Sequence, residues 1–268
     1  MLIDFHTHAF PDSLAARAIA GLAARAKYVP ETDGTIASLL SKMDAWGVDR
    51  SVVCNIATNA RQQTHVNDFA IQTKADHGDR LIPLGSIHPE SANIVEEIER
   101  LHRAGLPGLK LHPDYMAHSF SDPAYGPILD TAAQLGMFVI IHAGFDVYSP
   151  EKIYATPEDI LTVIRRHPTL KLVCAHYGSN CLWESAETKL AGQPIWIDTS
   201  MGCKEGLSPR QAMRILQKHD SDRILFGSDA PWCSARQNAD YLEGLGLSSA
   251  LLDKIFYRNA QTLLGGAV

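Results

Sequence analysis

Short apolar segments rich in β-branched residues recur along the chain, and a segment with helical spacing follows most of them. This alternation is typical of a parallel sheet covered by helices. The segments that predict strands are residues 2–6, 50–55, 81–87, 108–112, 137–142, 170–176, 195–199 and 223–227. Eight strand and helix units are the number that closes one α/β barrel.

The segments between the predicted strands place apolar residues three and four positions apart, which predicts amphipathic helices. Thr156 and Ser208, each followed by proline, predict helix starts, because a hydroxyl caps free amides and proline suits the first turn. Gly47 predicts a helix end. The connection over residues 9–33 is longer than an ordinary βα loop. Its alanine-rich stretch, residues 14–27, predicts a helix that covers the top of the barrel.

An open, doubly wound sheet is the alternative fold, but it normally carries a glycine-rich phosphate-binding turn after its first strand. The corresponding turn here reads HTHAFPD. No linker rich in proline, glycine or serine marks a domain boundary. We therefore predict an α/β protein in which residues 1–268 form a single (β/α)8 TIM barrel domain.

Composition narrows the classes of partner. The chain is 46% hydrophobic and 20% charged, which suits a large buried core. Its net charge of −6 gives no general attraction for nucleic acid or an anionic membrane, so we expect a small-molecule substrate and allow for a homodimer. The amino end, MLIDFHTH, lacks the features of a signal peptide, and we expect a cytoplasmic protein. The five cysteines stand singly and are expected to be reduced thiols.

Polar residues that bind metals or move protons stand at or just after the ends of the predicted strands. They are His6, His8, His112, His142, His176 and Asp229. In an α/β barrel this end of the strands is the catalytic face. A histidine that closes an apolar strand is more often a hydrogen-bonded core residue when it occurs alone. The combination favours a metal, since one ion at the barrel mouth satisfies several such side chains together.

The pair His6 and His8 is the first element of that site. Strand residues two positions apart share a face, so both imidazoles can reach one ion. With His142 and Asp229 they offer three nitrogens and one carboxylate oxygen, a donor set that suits zinc or manganese.

The ordered motifs IDFHTHAFP, GLKLHPDY, VIIHAG, LVCAHYGS, WIDTS and RILFGSDAPW resemble those of the amidohydrolase superfamily. They are most similar to its amidohydrolase-related branch, which includes aminocarboxymuconate-semialdehyde decarboxylase and small TIM-barrel hydrolases. The resemblance extends from Leu2 to the closing RNAQTLLG. It implies an enzyme in which His6, His8, His142 and Asp229 hold one divalent metal, with Zn²⁺ preferred and Mn²⁺ as the alternative.

The resemblance also implies catalytic roles for His176 and Asp229. His176 is either a further ligand or the acid/base residue beside the metal, and we favour the acid/base role. Some superfamily members carry on the fourth strand a lysine that is carboxylated and bridges two metals, so a second metal is compatible with a carboxylated Lys110. Otherwise Lys110 binds a substrate carboxylate or a buried acid. His112 is a substrate contact or simply closes the strand.

The expected reaction is hydrolysis of a small carbonyl substrate, a carboxylated lactone, amide or ester, by a metal-activated water. Asp229 would accept a proton from the nucleophile, and His176 would steady the developing charge or protonate the leaving group. The alternative in the same branch is metal-dependent, non-oxidative decarboxylation of a small unsaturated or aromatic acid. Chain length favours hydrolysis, because the decarboxylases of this branch tend to be longer. A non-catalytic scaffold is disfavoured, because neither a ligand nor the His176 and Asp229 pair is missing.

Further cationic residues are candidates for contacts with an anionic substrate. They are Arg61, Lys204 and Arg236, although each of these residue types is more often a solvated surface charge.

Overall fold

The computed structural model describes residues 1–204 and 206–266 and contains eight parallel strands. The strands are β1 (Ile3–Thr7), β2 (Arg50–Cys54), β3 (Leu81–Leu84), β4 (Gly108–Leu111), β5 (Phe138–Ile141), β6 (Lys171–Cys174), β7 (Trp196–Asp198) and β8 (Ile224–Leu225). Their number and order confirm the sequence-based prediction. Several end earlier than predicted, because the chain turns towards the barrel mouth where the polar residues begin.

The strands form a closed ring. Regular backbone hydrogen bonds join β1, β2 and β3 into one set of strands and β4 to β8 into another. Gly85 joins the two sets, since Lys110 N donates to Gly85 O at 2.8 Å. At the other seam, Phe5 N donates to Phe226 O at 2.8 Å. Residues just outside the regular strands therefore complete the barrel.

Helices surround the ring. They are α1 (Asp12–Ala26), α2 (Ile36–Trp46), α3 (Gln63–His77), α4 (Ile94–Arg103), α5 (Pro113–Met116), α6 (Gly126–Gln134), α7 (Pro157–Arg166), α8 (Trp183–Ser185), α9 (Pro209–Lys218), α10 (Ala235–Gly244), α11 (Ser249–Asp253) and α12 (Asn259–Leu263). Short 3₁₀ segments cover Pro123–Tyr125 and Ser221–Arg223, and π-helical turns cover Ala186–Leu190 and Lys254–Arg258. Within the described part of the chain, no helix combines the length and apolarity that crossing a bilayer demands.

The predicted helix boundaries follow from capping chemistry. The Thr156 side chain accepts from Asp159 N and begins α7, and Ser208 accepts from Gln211 N and begins α9. Gly47 ends α2 with φ of 72°, a conformation that costs glycine little. The stretch predicted as a helix over residues 14–27 is α1, which begins two residues earlier and ends one residue earlier.

Alternating positions along the strands separate two apolar cores. In β5, Val139 and Ile141 belong to the larger core beneath the helices, whereas Phe138 and Ile140 belong to the smaller core inside the ring. Lys110 of β4 pairs in register with Ile140, so its side chain points into the ring. An ammonium group is thereby placed in the barrel interior.

Candidate metal centre

Three of the predicted ligands meet at the mouth of the barrel. Asp229 Oδ1 lies 3.1 Å from His8 Nε2 and 3.4 Å from His6 Nε2. One donor atom from each of these residues lies within 4.8 Å of the others. The loop after β8 is held here because Asp229 N donates to His6 O at 2.8 Å. The two histidines of β1 and the aspartate after β8 therefore form one group.

The hydrogen bonds behind these imidazoles fit a metal. His6 Nδ1 lies 2.8 Å from Asp198 Oδ2, and His8 Nδ1 lies 2.8 Å from the carbonyl oxygen of Cys54. A carbonyl oxygen and a carboxylate only accept, so both Nδ1 atoms carry the proton. Each Nε2 then presents its lone pair on the side of Asp229, as a metal ligand requires, and the lone pair of His6 also faces Lys110 Nζ. The donor set suits a borderline divalent ion.

Asp198 organises the buried side of the site. Its Oδ1 accepts from the backbone amides of His176 and Ser200, each at 3.0 Å. Burial opposes its ionisation, but His6, His176 and Ser200 outweigh burial and hold the pKa of Asp198 well below its usual range. The Asp198 carboxylate is therefore negatively charged, and this charge lies next to Nδ1 of His6.

His142 and His176 lie beside that group. His176 Nε2 is 3.0 Å from His142 Nδ1, and Ser200 Oγ is 2.8 Å from His176 Nδ1. The other nitrogen of His142 lies 3.6 Å from Asp146 Oδ2. His142 therefore belongs to a second group of possible metal donors, together with His112 and Asp146. Its contact with His176 brings it next to the group that contains His6.

Neutral imidazoles dominate this part of the site. Burial and the neighbouring His142 lower the pKa of His176 well below its ordinary value. Burial and Lys110 lower the pKa of His6 in the same way. The neutral ring is the form that ligates a metal or accepts a proton.

Lys110 is fully buried, and its Nζ lies 3.0 Å from His6 Nε2. Among residues 1–204 and 206–266, no carboxylate forms an ion pair with it. The alternative that Lys110 pairs with a buried acid has no ion pair to support it among these residues, since Asp198 and Asp229 contact histidines instead. A buried ammonium without an anionic partner is costly, which leaves a substrate anion or carboxylation as its complement.

His112 lines the site with one ring nitrogen unused. Its ring stacks between Tyr115, at a centroid distance of 3.8 Å, and His142, at 4.3 Å. The buried Nδ1 has no hydrogen-bond partner, and neither has Asp114 Oδ2, which lies 3.8 Å away. Nδ1 of His112 is therefore a buried polar atom that makes no hydrogen bond within the fold.

A cavity of about 530 Å³ opens above these residues. Its floor is polar and holds His6, His8, Lys110, His112, His142, His176 and Asp229. Its walls are largely apolar and include Phe10, Leu14, Leu22, Ile56, Val66, Phe69 and Trp232. Leu14, Ala18 and Leu22 lie on one face of α1, so this helix covers the cavity as expected.

Sequence reasoning missed several cavity residues and proposed others that lie elsewhere. Arg17 and Arg25 of α1 and Asp146 line the cavity. The spacing of Arg17 and Arg25 relative to the apolar positions of α1 was the available signal. Three suggested anion contacts are not among the lining residues: Arg61, Lys204 and Arg236. Arg236 pairs with Asp240, and Lys204 Nζ donates to the carbonyl oxygen of Trp232.

The profile of the amidohydrolase family matches residues 3–266, and the chain belongs to this family. The curated proteins contain no significant match. Among solved structures, the chain is similar to 5-carboxyvanillate decarboxylase from Sphingomonas paucimobilis, with TM-score 0.72, 17% identity and 98% of each chain covered. It is also similar to 2,6-dihydroxybenzoate decarboxylase from Rhizobium, with TM-score 0.70, 16% identity and 98% of each chain covered.

A third similar structure is a dihydroxybenzoic acid decarboxylase from Polaromonas sp. JS666 with bound manganese and the inhibitor 2-nitroresorcinol. The TM-score is 0.73 at 17% identity, and the alignment covers 98% of this chain and 96% of that one. At such identities the likeness concerns the fold. It agrees with the closed barrel described above.

Proposed function

We propose that this protein catalyses the metal-dependent, non-oxidative decarboxylation of a small aromatic or unsaturated carboxylic acid. The observation that carries the proposal is an apolar-walled cavity over a floor that holds the buried ammonium of Lys110, which has no carboxylate partner among the described residues. Apolar walls suit an aromatic ring or a conjugated chain, and the ammonium suits its anionic oxygens. Decarboxylases of aromatic acids with the same fold support this choice over hydrolysis.

Chain length remains the argument for hydrolysis. Against it, the alignment with 5-carboxyvanillate decarboxylase extends over 98% of each chain, so a decarboxylase shares the whole barrel.

His6, His8 and Asp229 would hold the metal, with His142 as the proposed fourth ligand. Bound there, a divalent ion would act as a Lewis acid and neutralise negative charge that develops on the substrate. Manganese in the decarboxylase from Polaromonas supports Mn²⁺ beside Zn²⁺ as the ion.

The residues of the chain divide the remaining work. Lys110 binds an anionic oxygen of the substrate, and the apolar walls keep bulk water from the reacting carbon. His176 takes up a proton from solvent at Nε2 when the negatively charged substrate lies beside it, and delivers this proton to that carbon as the carbon–carbon bond breaks. The bonding electrons stay with the carbon while carbon dioxide leaves. Ser200 and Asp198 hold the other side of the His176 ring and backbone in place.

Hydrolysis of a carboxylated lactone, amide or ester is the second candidate. It is favoured by Asp229 within the donor group and His176 beside it, since the two side chains suit proton transfer from water to a leaving group. The two reactions break different bonds of the substrate but use the same residues of the protein.

A labelling experiment separates the two candidates. Metal-loaded protein is incubated with hydroxylated benzoates, unsaturated acids, lactones and amides in deuterated, ¹⁸O-labelled water. Decarboxylation releases carbon dioxide and leaves deuterium on the former carboxyl-bearing carbon. A carboxylic acid product that contains ¹⁸O, without carbon dioxide release, would overturn the proposal in favour of hydrolysis.

Lys110→Ala should lower kcat/KM by at least about tenfold, because a substrate anion loses a desolvated cationic partner. Lys171→Ala is the matched control, since Lys171 is exposed at the start of β6. Unchanged kinetics and metal content in Lys110→Ala would refute the assigned role of Lys110.

Elemental analysis with and without added bicarbonate tests the number of metals. We expect one ion per chain in both conditions. Two ions that depend on bicarbonate, and that return to one in Lys110→Ala, would show instead that Lys110 is carboxylated and bridges a pair.

A further inference from the structure

Two thiols meet beside the cavity. Cys203 lies in the turn after β7 and Cys233 in the turn after β8, and their Sγ atoms are 2.9 Å apart across a sequence separation of 30. A disulfide bond is about 2.05 Å long, so the two atoms need little further approach to bond. Neighbouring strands of the barrel bring these cysteines together, although no sequence spacing pairs them.

The two thiols are chemically unequal. The hydrogen bond with Cys233 lowers the pKa of Cys203, and the adjacent Lys204 lowers it further. The same hydrogen bond, together with burial, raises the pKa of Cys233 well above its usual range. Cys203 is also the more accessible of the two, being only partly buried. An attacking thiolate at Cys203 and a resolving thiol at Cys233 follow from these differences.

The pair stands between two walls of the cavity. Met201 precedes Cys203 and Trp232 precedes Cys233, and both Met201 and Trp232 line the cavity. Lys204 Nζ already donates to the carbonyl oxygen of Trp232, which links the same two turns without a covalent bond. A bond between the sulfurs would fix the distance between these walls.

We propose that Cys203 and Cys233 are a redox modification site that forms an intramolecular disulfide by exchange with small-molecule disulfides. The Cys203 thiolate attacks one sulfur of the small disulfide, forms a mixed disulfide and releases one small thiolate. Cys233 then loses its proton to solvent and attacks Cys203 Sγ, which expels the second small thiolate. Two protein thiols are oxidised to one disulfide, and one small disulfide is reduced to two thiols.

The test uses folded, metal-loaded protein treated with oxidised glutathione and then denatured for thiol counting. Cys181 is exposed and would add an unrelated mixed disulfide, so Cys181→Ser serves as the parent chain. We expect its four remaining thiols to fall to two, with a mass loss of two hydrogen atoms, and a reducing dithiol should restore all four. Peptide mapping should join the segments that contain Cys203 and Cys233.

Single variants in this parent background separate the two roles. Cys233→Ser should stop at the mixed disulfide and gain the mass of one glutathione unit at Cys203. Cys203→Ser should keep all of its thiols, because Cys233 is buried. Four thiols remaining in the treated parent chain would overturn the proposal. So would an equal loss of thiols in the Cys203→Ser variant.

Discussion

Replacement of Asp198 by asparagine tests the proposal that the fold prepares His6 to bind a metal. Oδ1 of Asp198 accepts from two backbone amides, at His176 and Ser200, while Oδ2 faces His6 Nδ1 at 2.8 Å. An asparagine must keep its oxygen on the two amides, so its NH₂ group would face His6. The imidazole would then have to present a lone pair at Nδ1 and carry its proton at Nε2, where the metal ligand is needed.

The size of the effect follows from this change of tautomer and from the lost charge. Removing an outer partner of a ligating histidine typically weakens metal affinity about 10- to 100-fold. We expect Asp198→Asn to lie near the upper figure, about 3 kcal/mol at 1.36 kcal/mol per factor of ten, because both the tautomer and the buried negative charge are affected. Asp198 is fully buried, so solvent does not screen the effect.

Competition between the protein and a chelating dye for Mn²⁺ or Zn²⁺ measures this affinity. Asp4→Asn is the matched control, because Asp4 is also a buried carboxyl in the barrel but bonds to Ser228 and to the backbone amide of His6. It should leave the affinity unchanged. Metal binding by Asp198→Asn that equals that of the parent protein would refute the tautomer argument. Equal weakening in both variants would indicate a general disturbance of the barrel instead.

The remaining predictions concern stability. Burial raises the pKa of Asp4 to about 7 from its ordinary 3.8, so the folded chain keeps a proton that the unfolded chain loses. The contribution of Asp4 to the unfolding free energy of the metal-free protein should therefore fall from about pH 4 to 7, by at most about 4 kcal/mol. The buried histidines, whose lowered pKa values act in the opposite direction, are common to the parent protein and Asp4→Asn, so the stability difference between the two proteins should fall with pH in urea titrations. Gly144→Ala should destabilise the protein by at least about 2 kcal/mol, because φ is +90° and the added carbon would lie 2.3 Å from Asn180 N. Gly21→Ala, in open space within α1, should instead stabilise by about 0.5–1 kcal/mol in the same titration, and a similar loss in both glycine variants would contradict the clash.

The barrel could be predicted from the sequence because apolar periodicity is a local signal that tertiary packing reinforced at every strand. The convergence of His6, His8 and Asp229 could also be predicted, since the ends of parallel strands meet at one face. The last strand is shorter than its pattern because Phe226 and Asp229 already turn to bond with β1. The pattern of apolar residues along a strand does not reveal where the last strand bonds to β1 and closes the ring.

Residues brought by loops could not be predicted in the same way. Asp146 follows β5 in an irregular segment, and only the folded loop turns its carboxylate towards His142. The contact between Cys203 and Cys233 was likewise hidden, because it depends on the adjacency of β7 and β8. The sequence shows five single cysteines and gives no reason to pair these two.

Two residues at the centre of the site adopt a backbone conformation that favours glycine. His176 has φ of 58° and Asp229 has φ of 69°. Each such residue carries a conformational cost of about 1–2 kcal/mol, which glycine would relieve. Both side chains are buried and bonded, so a variant that relaxes the backbone here gains that energy only by losing a contact of the site. A programme of thermal engineering on this barrel needs an activity screen at every round.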